Sequence, residues 1–285
     1  MRHFIKKFCA VLLIVSFSFN VSGCVKPYLI HPEFKERHKQ IFSAAVMAPE
    51  TDAYMLMFNG DQKRMTDLVP MMEKNTIKKI QDALKEKGYT LKELDLTEKV
   101  LKKNPELRTA LFDVRKVFNK SLNDIAKRKN KKFIYSIGSE VNIFADRADA
   151  DILIFVKEVG IKKSAGEIAK EVAKEVMITA ACALLGVVHV PIPNVCSTML
   201  TIAVVDSNDG AILWYIDNKC NTAYDPENEK HLTLLTKSLI RHFPDSVNKV
   251  EKRKIDLKQK AKLSEKNVLV QSTEIMPAKV TPTAM

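Results

Sequence analysis

The chain has 285 residues and a formal net charge of +12, with 46% hydrophobic and 28% charged residues. This length supports one large domain or two small ones with a real core. The excess of cations favours acidic partners such as anionic lipid head groups or nucleic acid, but no nucleic-acid-binding motif is present.

Residues 1–23 have the pattern of a secretory signal peptide. Arg2, Lys6 and Lys7 supply a positive start without any acid, and a mostly apolar run follows from Phe8 to Phe19. That run is about 12 residues long, whereas a membrane-spanning helix needs about 20. A permanent transmembrane anchor is therefore the weaker interpretation, and export argues against nucleic acid as a partner.

The end of this segment, Val21-Ser22-Gly23-Cys24, resembles the lipobox of bacterial lipoproteins: an aliphatic residue, two small ones, then cysteine. The resemblance implies that the Cys24 thiol receives a lipid, that the signal is cut before Cys24 and that the new amino group is acylated. Two or more acyl chains anchor a protein stably, and this covalent lipid is the only cofactor expected. Val25 is not the aspartate that commonly retains such proteins at the inner membrane, so we expect the outer membrane, facing the periplasm. An ordinary signal peptide with a chance cysteine is the alternative.

Composition divides the mature chain into three parts. Residues 24–40 are polar, contain Pro27 and Pro32, and are expected to form a tether that lets the fold stand off the membrane. Residues 41–243 are predicted to form a single α/β domain. Residues 244–285 are basic and contain proline, so we expect a largely disordered tail, either a solvated extension or a binding segment.

The first half of the domain is predicted to contain one strand and two helices. A short apolar run at residues 41–47 predicts the strand, and Asn59-Gly60-Asp61 predicts a turn. A helix is predicted over residues 71–87, ending at Gly88, with Ile77, Ile80 and Leu84 on one face. A second helix starts at Asn104-Pro105, with asparagine as its cap, and has an apolar face formed by Leu107, Leu111, Val114, Phe118, Leu122 and Ile125. The basic run 127–132 that follows is interpreted as a solvated helix end, with a binding patch as the alternative.

Apolar runs predict further strands at residues 133–137 and 151–156, the latter continuing to about residue 161. The continuous apolar character of 151–156 predicts a strand that is covered on both faces. Residues 166–190 begin as an amphipathic helix, with Ile168, Ala169, Val172, Ala173, Val176 and Met177 on one face, and become almost wholly apolar beyond Val176. This segment either enters the core or forms a surface that meets lipid or other copies of the chain.

Residues 199–216 have the strongest tertiary signal in the sequence. Two β-rich runs flank Asp206-Ser207-Asn208-Asp209-Gly210, which predicts a β-hairpin. Both aspartates are interpreted as turn residues that cap their own backbone rather than as catalytic carboxylates. Trp214, the only tryptophan, is interpreted as a core residue. A last amphipathic helix over residues 227–243 carries Leu232, Leu234, Leu235, Leu239 and Ile240.

Three cysteines, Cys182, Cys196 and Cys220, remain once Cys9 leaves with the signal and Cys24 is lipidated. An odd number in an oxidising compartment suggests one disulfide and one spare thiol. If residues 206 and 210 pair across the hairpin turn, Cys196 faces Cys220 at a separation of about 4.5–5.5 Å between Cα atoms, which a disulfide can bridge. A glycine-bulge turn would leave Cys196 and Cys220 on the same face of the sheet but move the residue opposite Cys196 by two places. The alternative is two small buried apolar residues.

The hairpin motif also carries a family resemblance. Val204-Val205-Asp206-Ser207-Asn208-Asp209-Gly210-Ala211-Ile212-Leu213-Trp214 resembles the hairpin of a group of periplasmic proteins that includes the TolB amino-terminal domain, the curli-secretion lipoprotein CsgG and the peptidoglycan-synthase activator LpoB. The run 150–156 resembles an earlier strand of that group. The resemblance implies a mixed sheet with helices packed on it, and a role in envelope assembly, secretion or regulation. It implies no ligand residues.

No catalytic or metal-binding constellation is apparent in the sequence. Nucleophile-elbow, dinucleotide and phosphate-loop motifs are missing, and the histidines lack metal-ligand spacing with cysteines or acids: His31, His38, His189, His231 and His242.

We therefore expect a non-enzymatic, lipid-anchored accessory, scaffold or regulator of an envelope protein complex, which binds the membrane through its anchor and an envelope protein or its own copies. The alternatives are a subunit of an oligomeric outer-membrane secretion channel and, with less support, a hydrolase of envelope polymers.

Overall fold

The computed structural model describes residues 28–128, 132–184, 196–218, 224–251 and 253, with side chains described only through residue 174 in the helix that ends the second range. The strands are β1 Tyr28–Ile30, β2 Ser43–Val46, β3 Glu50–Leu56, β4 Gln62–Arg64, β5 Thr90–Lys92, β6 Ile152–Lys163, β7 Cys196–Asp206 and β8 Ile212–Asp217. The helices are α1 Phe34–Arg37, α2 Val69–Glu86, α3 Glu98–Lys103, α4 Pro105–Ala126, α5 Asn142–Ala148, α6 Ala165–Leu184 and α7 Glu229–Ile240.

All eight of these strands belong to one mixed sheet, in the order β1-β8-β7-β6-β2-β5, with β3 and β4 beside the second half of β6. The long strand β6 organises the sheet because it pairs with β2 through its first residues and with β3 through its last, both in parallel. It also pairs along its length with β7, antiparallel. Proline has no amide donor for a ladder, and the break between β2 and β3 falls at Pro49.

Helices cover both faces of the sheet. Alternate residues of β6 point to opposite sides: Ile152 and Ile154 join the core under α2 and α7, whereas Leu153 and Phe155 join the core under α4. Ile152 and Leu153 are both 0% exposed. This arrangement confirms the predicted α/β class, with helices packed on a mixed sheet, and the prediction that 151–156 is covered on both faces.

The predicted helices are present, with details that local contacts explain. Gly88, at φ +86°, follows α2, as its role as a stop signal requires. Pro105 begins α4 as predicted, but the Asn104 side chain donates to the Val100 carbonyl at 2.8 Å and does not cap the helix. In α7 Leu235 is buried, whereas Leu234 is 59% exposed, so the assignment of Leu234 to the apolar face was wrong.

Both ends of the domain extend beyond the predicted boundaries. Residues 28–40, expected in the tether, instead form β1, α1 and a 3-10 turn, and β1 pairs with β8. The tether prediction is therefore wrong for these residues, because Tyr28 and Phe34 pack on the core beneath α7. At the other end Ser246 is fully buried, and its hydroxyl donates to the Gly88 carbonyl at 2.7 Å. Residues 24–27 and 254–285 lie outside the described residues.

Two predicted β features also differ. Residues 133–137, predicted as a strand, form only an isolated bridge between Ser136 and Ala211. The apolar side chains of Phe133 and Ile137 are nevertheless buried. The hairpin is confirmed, but Val204 pairs with Trp214 and a bulge follows Val204. This is the shifted register of a glycine-bulge turn, and Gly210 adopts φ +68°.

Candidate functional site

The expected lipid attachment residue lies close to the fold in the chain. Cys24 is outside the described residues, but Tyr28, four residues later, is fixed opposite Ile216 in the sheet. The Tyr28 ring centroid lies 6.2 Å from that of Trp214 and 5.6 Å from that of His242. The first described residue is therefore held between the Trp214 and His242 rings.

Strand β1 is at the edge of the sheet, and no described strand pairs with its outer side. Two of its three residues have exposed apolar side chains, Leu29 at 42% and Ile30 at 40%. Ile134, which is 51% exposed, borders the same surface depression as His31 and Pro32 at the end of β1. We call Leu29, Ile30 and Ile134 the edge surface.

A cluster of charges fixes α1 to the hairpin turn. One guanidinium nitrogen of Arg37 donates to Asp206 at 3.0 Å and to Asp209 at 2.7 Å. Its other nitrogens donate to the Glu33 carboxylate at 2.7 and 3.0 Å. The sequence pattern of the turn did not reveal Arg37, which is 169 residues from Asp206 along the chain.

The electrostatics of this cluster favour a structural role. Burial opposes the charge of Asp209, but hydrogen bonds from Arg37 and from the Ala211 amide outweigh it and lower the pKa of this carboxyl. Hydrogen bonds to Asp209 and Glu33 raise the pKa of Arg37. Asp206 accepts from the Asn208 amide at 3.0 Å, so the predicted turn roles of Asp206 and Asp209 are confirmed. Carboxylates that are held by an arginine and by backbone amides in this way are poorly suited to general acid chemistry.

A second exposed apolar region lies at the opposite end of the sheet. Phe58 follows β3 and is 60% exposed, Val172 in α6 is 42% exposed, and Met199 near the start of β7 is 42% exposed. Phe58 packs near Gly166, and the Lys170 ammonium lies 5.5 Å from its ring centroid. We call Phe58, Val172 and Met199 the distal surface. Val172, Ala169 and Ala173 of the predicted apolar face are exposed, whereas the side chains of residues 175–190 lie outside the described part.

Of Cys182, Cys196 and Cys220, only Cys196 is described in full. It is half-buried and forms no disulfide with another described residue, and burial raises the pKa of its thiol. Cys220 lies outside the described residues, as does the side chain of Cys182. The observed hairpin register differs by two places from the one that sets Cys196 opposite Cys220, and the bridge stays a prediction.

Glu158 in β6 is fully buried; the Thr76 hydroxyl donates to one carboxylate oxygen at 2.8 Å, and the other has no hydrogen-bond partner. Burial raises the pKa of Glu158 to about 7, and the charge of Glu73 adds to the effect. Glu158 had no signal in the sequence, because it is a single acid near the end of an apolar run. The polar groups that act on it are the Thr76 hydroxyl and the Glu73 carboxylate.

The histidines and Trp214 have structural contacts. His38 Nε2 lies 2.7 Å from the Tyr89 hydroxyl, which donates to the Pro244 carbonyl, and burial lowers the pKa of His38. Trp214 is 1% exposed, which confirms its core assignment. Among the described residues no group of three or more His, Cys, Asp or Glu could hold a metal ion. His189 lies outside them.

No helix in the described part of the chain is long and apolar enough to cross a membrane. Comparisons with protein families, with curated proteins and with solved structures find no match to this chain.

Proposed function

We propose that this chain is a lipoprotein of the cell envelope, anchored by lipid on Cys24, and that it acts as a non-enzymatic accessory, scaffold or regulator of an envelope protein complex. The observation that carries the proposal is the lipobox-like run Val21-Ser22-Gly23-Cys24, after a positive start and a short apolar run. The expected location is the outer membrane, facing the periplasm.

Two features of the fold support a binding role. Arg37 pairs with both carboxylates of the hairpin turn at 2.7 and 3.0 Å, which favours a rigid surface over proton transfer. Six of the 13 exposed large apolar side chains of the described residues lie at the edge surface and the distal surface, and such side chains grouped together are typical of interaction sites.

The anchoring is tested by metabolic labelling with an alkyne-bearing fatty acid, followed by membrane fractionation. We expect the wild-type chain to carry the label and to fractionate with membranes, and Cys24→Ala to lose both. Cys9→Ala is the matched control, because Cys9 leaves with the predicted signal peptide. Label that persists in Cys24→Ala, or a wild-type chain without label, would contradict the proposal.

A second candidate function is a subunit of an oligomeric outer-membrane secretion channel. The distal surface favours it, since Val172 stands exposed on the helix that joins β6 to β7. The test is the native mass of the full-length protein in mild detergent, by light scattering on a sizing column. A large ring that Val172→Glu disrupts and Phe112→Glu does not would support the channel. A monomer, or a stoichiometric complex with another protein, supports the accessory role.

A further inference from the structure

The position of β1 limits how far the fold can stand from the membrane. Tyr28 is four positions after Cys24 in the chain, and a fully extended chain advances at most about 3.5 Å per residue. The Tyr28 Cα therefore lies within about 14 Å of the lipidated residue. Since Tyr28 is fixed in the sheet by pairing with Ile216, the side of the domain that carries β1 must face the bilayer. This argument rests on the proposed anchoring at Cys24.

The surface next to this attachment point is apolar at its centre. Leu29, Ile30 and Ile134 are each at least 40% exposed. Leu29 faces Tyr215 across the β1–β8 ladder, and the Tyr215 ring lies 6.3 Å from the Phe133 ring, which precedes Ile134. Apolar side chains in such a position can enter the boundary between head groups and acyl chains.

Cations flank the edge surface on one face of the sheet at the end of α4. Tyr135 donates its hydroxyl to the Asp124 carbonyl at 3.4 Å, which brings the last turn of α4 beside Ile134. Lys127 and Arg128, which follow that turn, are both exposed.

More cations lie on the other face, beyond the His242 ring that packs on Tyr28. Arg241 is exposed there, and the Lys87 ammonium lies 3.4 Å from its carbonyl oxygen. A single carboxylate, Asp245, pairs with Lys87, Lys249 and Arg253. Three cations on this face therefore share one carboxylate.

We propose that the edge surface lies against anionic lipid head groups, with its apolar side chains at the lipid boundary and the cations around Lys127 and Arg241 above the phosphates. The fold is thereby held in one orientation on the membrane, and the distal surface at the other end of the sheet stays available to protein partners. Each cation near an anionic membrane surface strengthens such binding by about fivefold.

The test uses full-length lipidated protein in vesicles of phosphatidylcholine, with or without phosphatidylglycerol. Flotation first establishes that the protein is on the vesicles; a protein that does not float contradicts both the anchoring and this orientation. Hydroxyl-radical footprinting then compares the oxidation of Leu29, Ile30 and Ile134 with that of Phe112, which is 69% exposed on α4 and serves as an internal reference.

We expect oxidation of the edge surface, relative to Phe112, to fall several-fold when phosphatidylglycerol is present. Lys127→Glu with Arg128→Glu should abolish this protection. Lys102→Glu with Lys103→Glu should leave it intact, because these exposed lysines lie before the other end of α4, a helix of 22 residues and so about 33 Å long. Floating protein with equal oxidation on both vesicles, or with Phe112 protected instead, overturns this orientation and leaves the anchoring in place.

Discussion

Glu158 provides a prediction about how stability depends on pH. Its carboxylate is fully buried, and its single hydrogen bond comes from Thr76. The perturbation is Glu158→Gln, which keeps the shape of the side chain and removes its charge at every pH.

The magnitude follows from the pKa difference between the folded and unfolded chains. Burial raises the pKa of Glu158 from its ordinary 4.5 to about 7, and each pKa unit corresponds to about 1.4 kcal/mol. Ionisation of Glu158 therefore costs the folded state about 3 kcal/mol. Because the pKa of Glu158 is higher in the folded chain than in the unfolded chain, the free energy of unfolding decreases as pH rises. The contribution of protonated Glu158 to stability is fully present below pH 4.5 and is lost as pH rises through about 7.

The variant isolates this contribution from other titrating groups. Burial lowers the pKa of His31, His38 and His242, which changes stability in the opposite direction, since their contribution is lost as pH falls through the lowered values. These histidines titrate in both proteins. The difference between Glu158→Gln and wild type should therefore shift in favour of the variant by about 3 kcal/mol between pH 4.5 and 8.

The assay is urea denaturation at a series of pH values, followed by the fluorescence of Trp214, the single tryptophan, which is 1% exposed. Glu93→Gln, at an exposed acid in the loop after β5, is the control and should show no such trend. A difference between Glu158→Gln and wild type that stays constant over this range would refute the reasoning.

Two further substitutions test contacts around the hairpin turn. Arg37→Ala should lower the free energy of unfolding by about 1–2 kcal/mol, because it leaves partly buried carboxylates unpaired. Arg64→Ala removes an exposed ion pair and should lower it by about 0.5 kcal/mol or less. Equal losses for the two variants in urea titrations would contradict this. Gly210→Ala should lower the free energy of unfolding by more than about 3 kcal/mol, as a severe core substitution does. Gly210 has φ +68°, and an added Cβ would lie 2.1 Å from the Gly138 carbonyl oxygen. Gly60→Ala, at φ +89° with open space around it, should cost only about 1 kcal/mol, and thermal melts that rank the two glycines in the reverse order would disprove the steric argument.

Periodicity in the sequence was sufficient to predict the main helices and the central strands. The spacing of Ile80 and Leu84 and the stop at Gly88 predicted α2, and the continuous apolar run at 151–156 predicted β6. These predictions succeeded because the periods of 3.6 and 2 residues determine which side chains share a face, whatever the element packs against.

Short elements were harder to predict because neighbours in space decide them. β1 has three residues, too few for a period, and becomes a strand by pairing with β8. Residues 133–137 have the composition of a strand but make only one bridge, because the edge of β8 is already paired with β1 over Trp214, Tyr215 and Ile216.

The candidate sites also divide into those that a local sequence pattern reveals and those that only tertiary contacts reveal. The sequence alone pointed to Cys24 as the proposed lipidation site, because the lipobox that residues 21–24 resemble is a linear motif that does not depend on the fold. The partners of Arg37, the burial of Glu158 and the location of the edge surface depend on residues far apart in the chain: Arg37 and Asp206 are separated by 169 positions and Thr76 and Glu158 by 82. Local pattern therefore determined the main helices and strands and the proposal of a lipid anchor, whereas tertiary packing alone decided which side chains meet, since contact between distant residues is set by how the sheet is assembled.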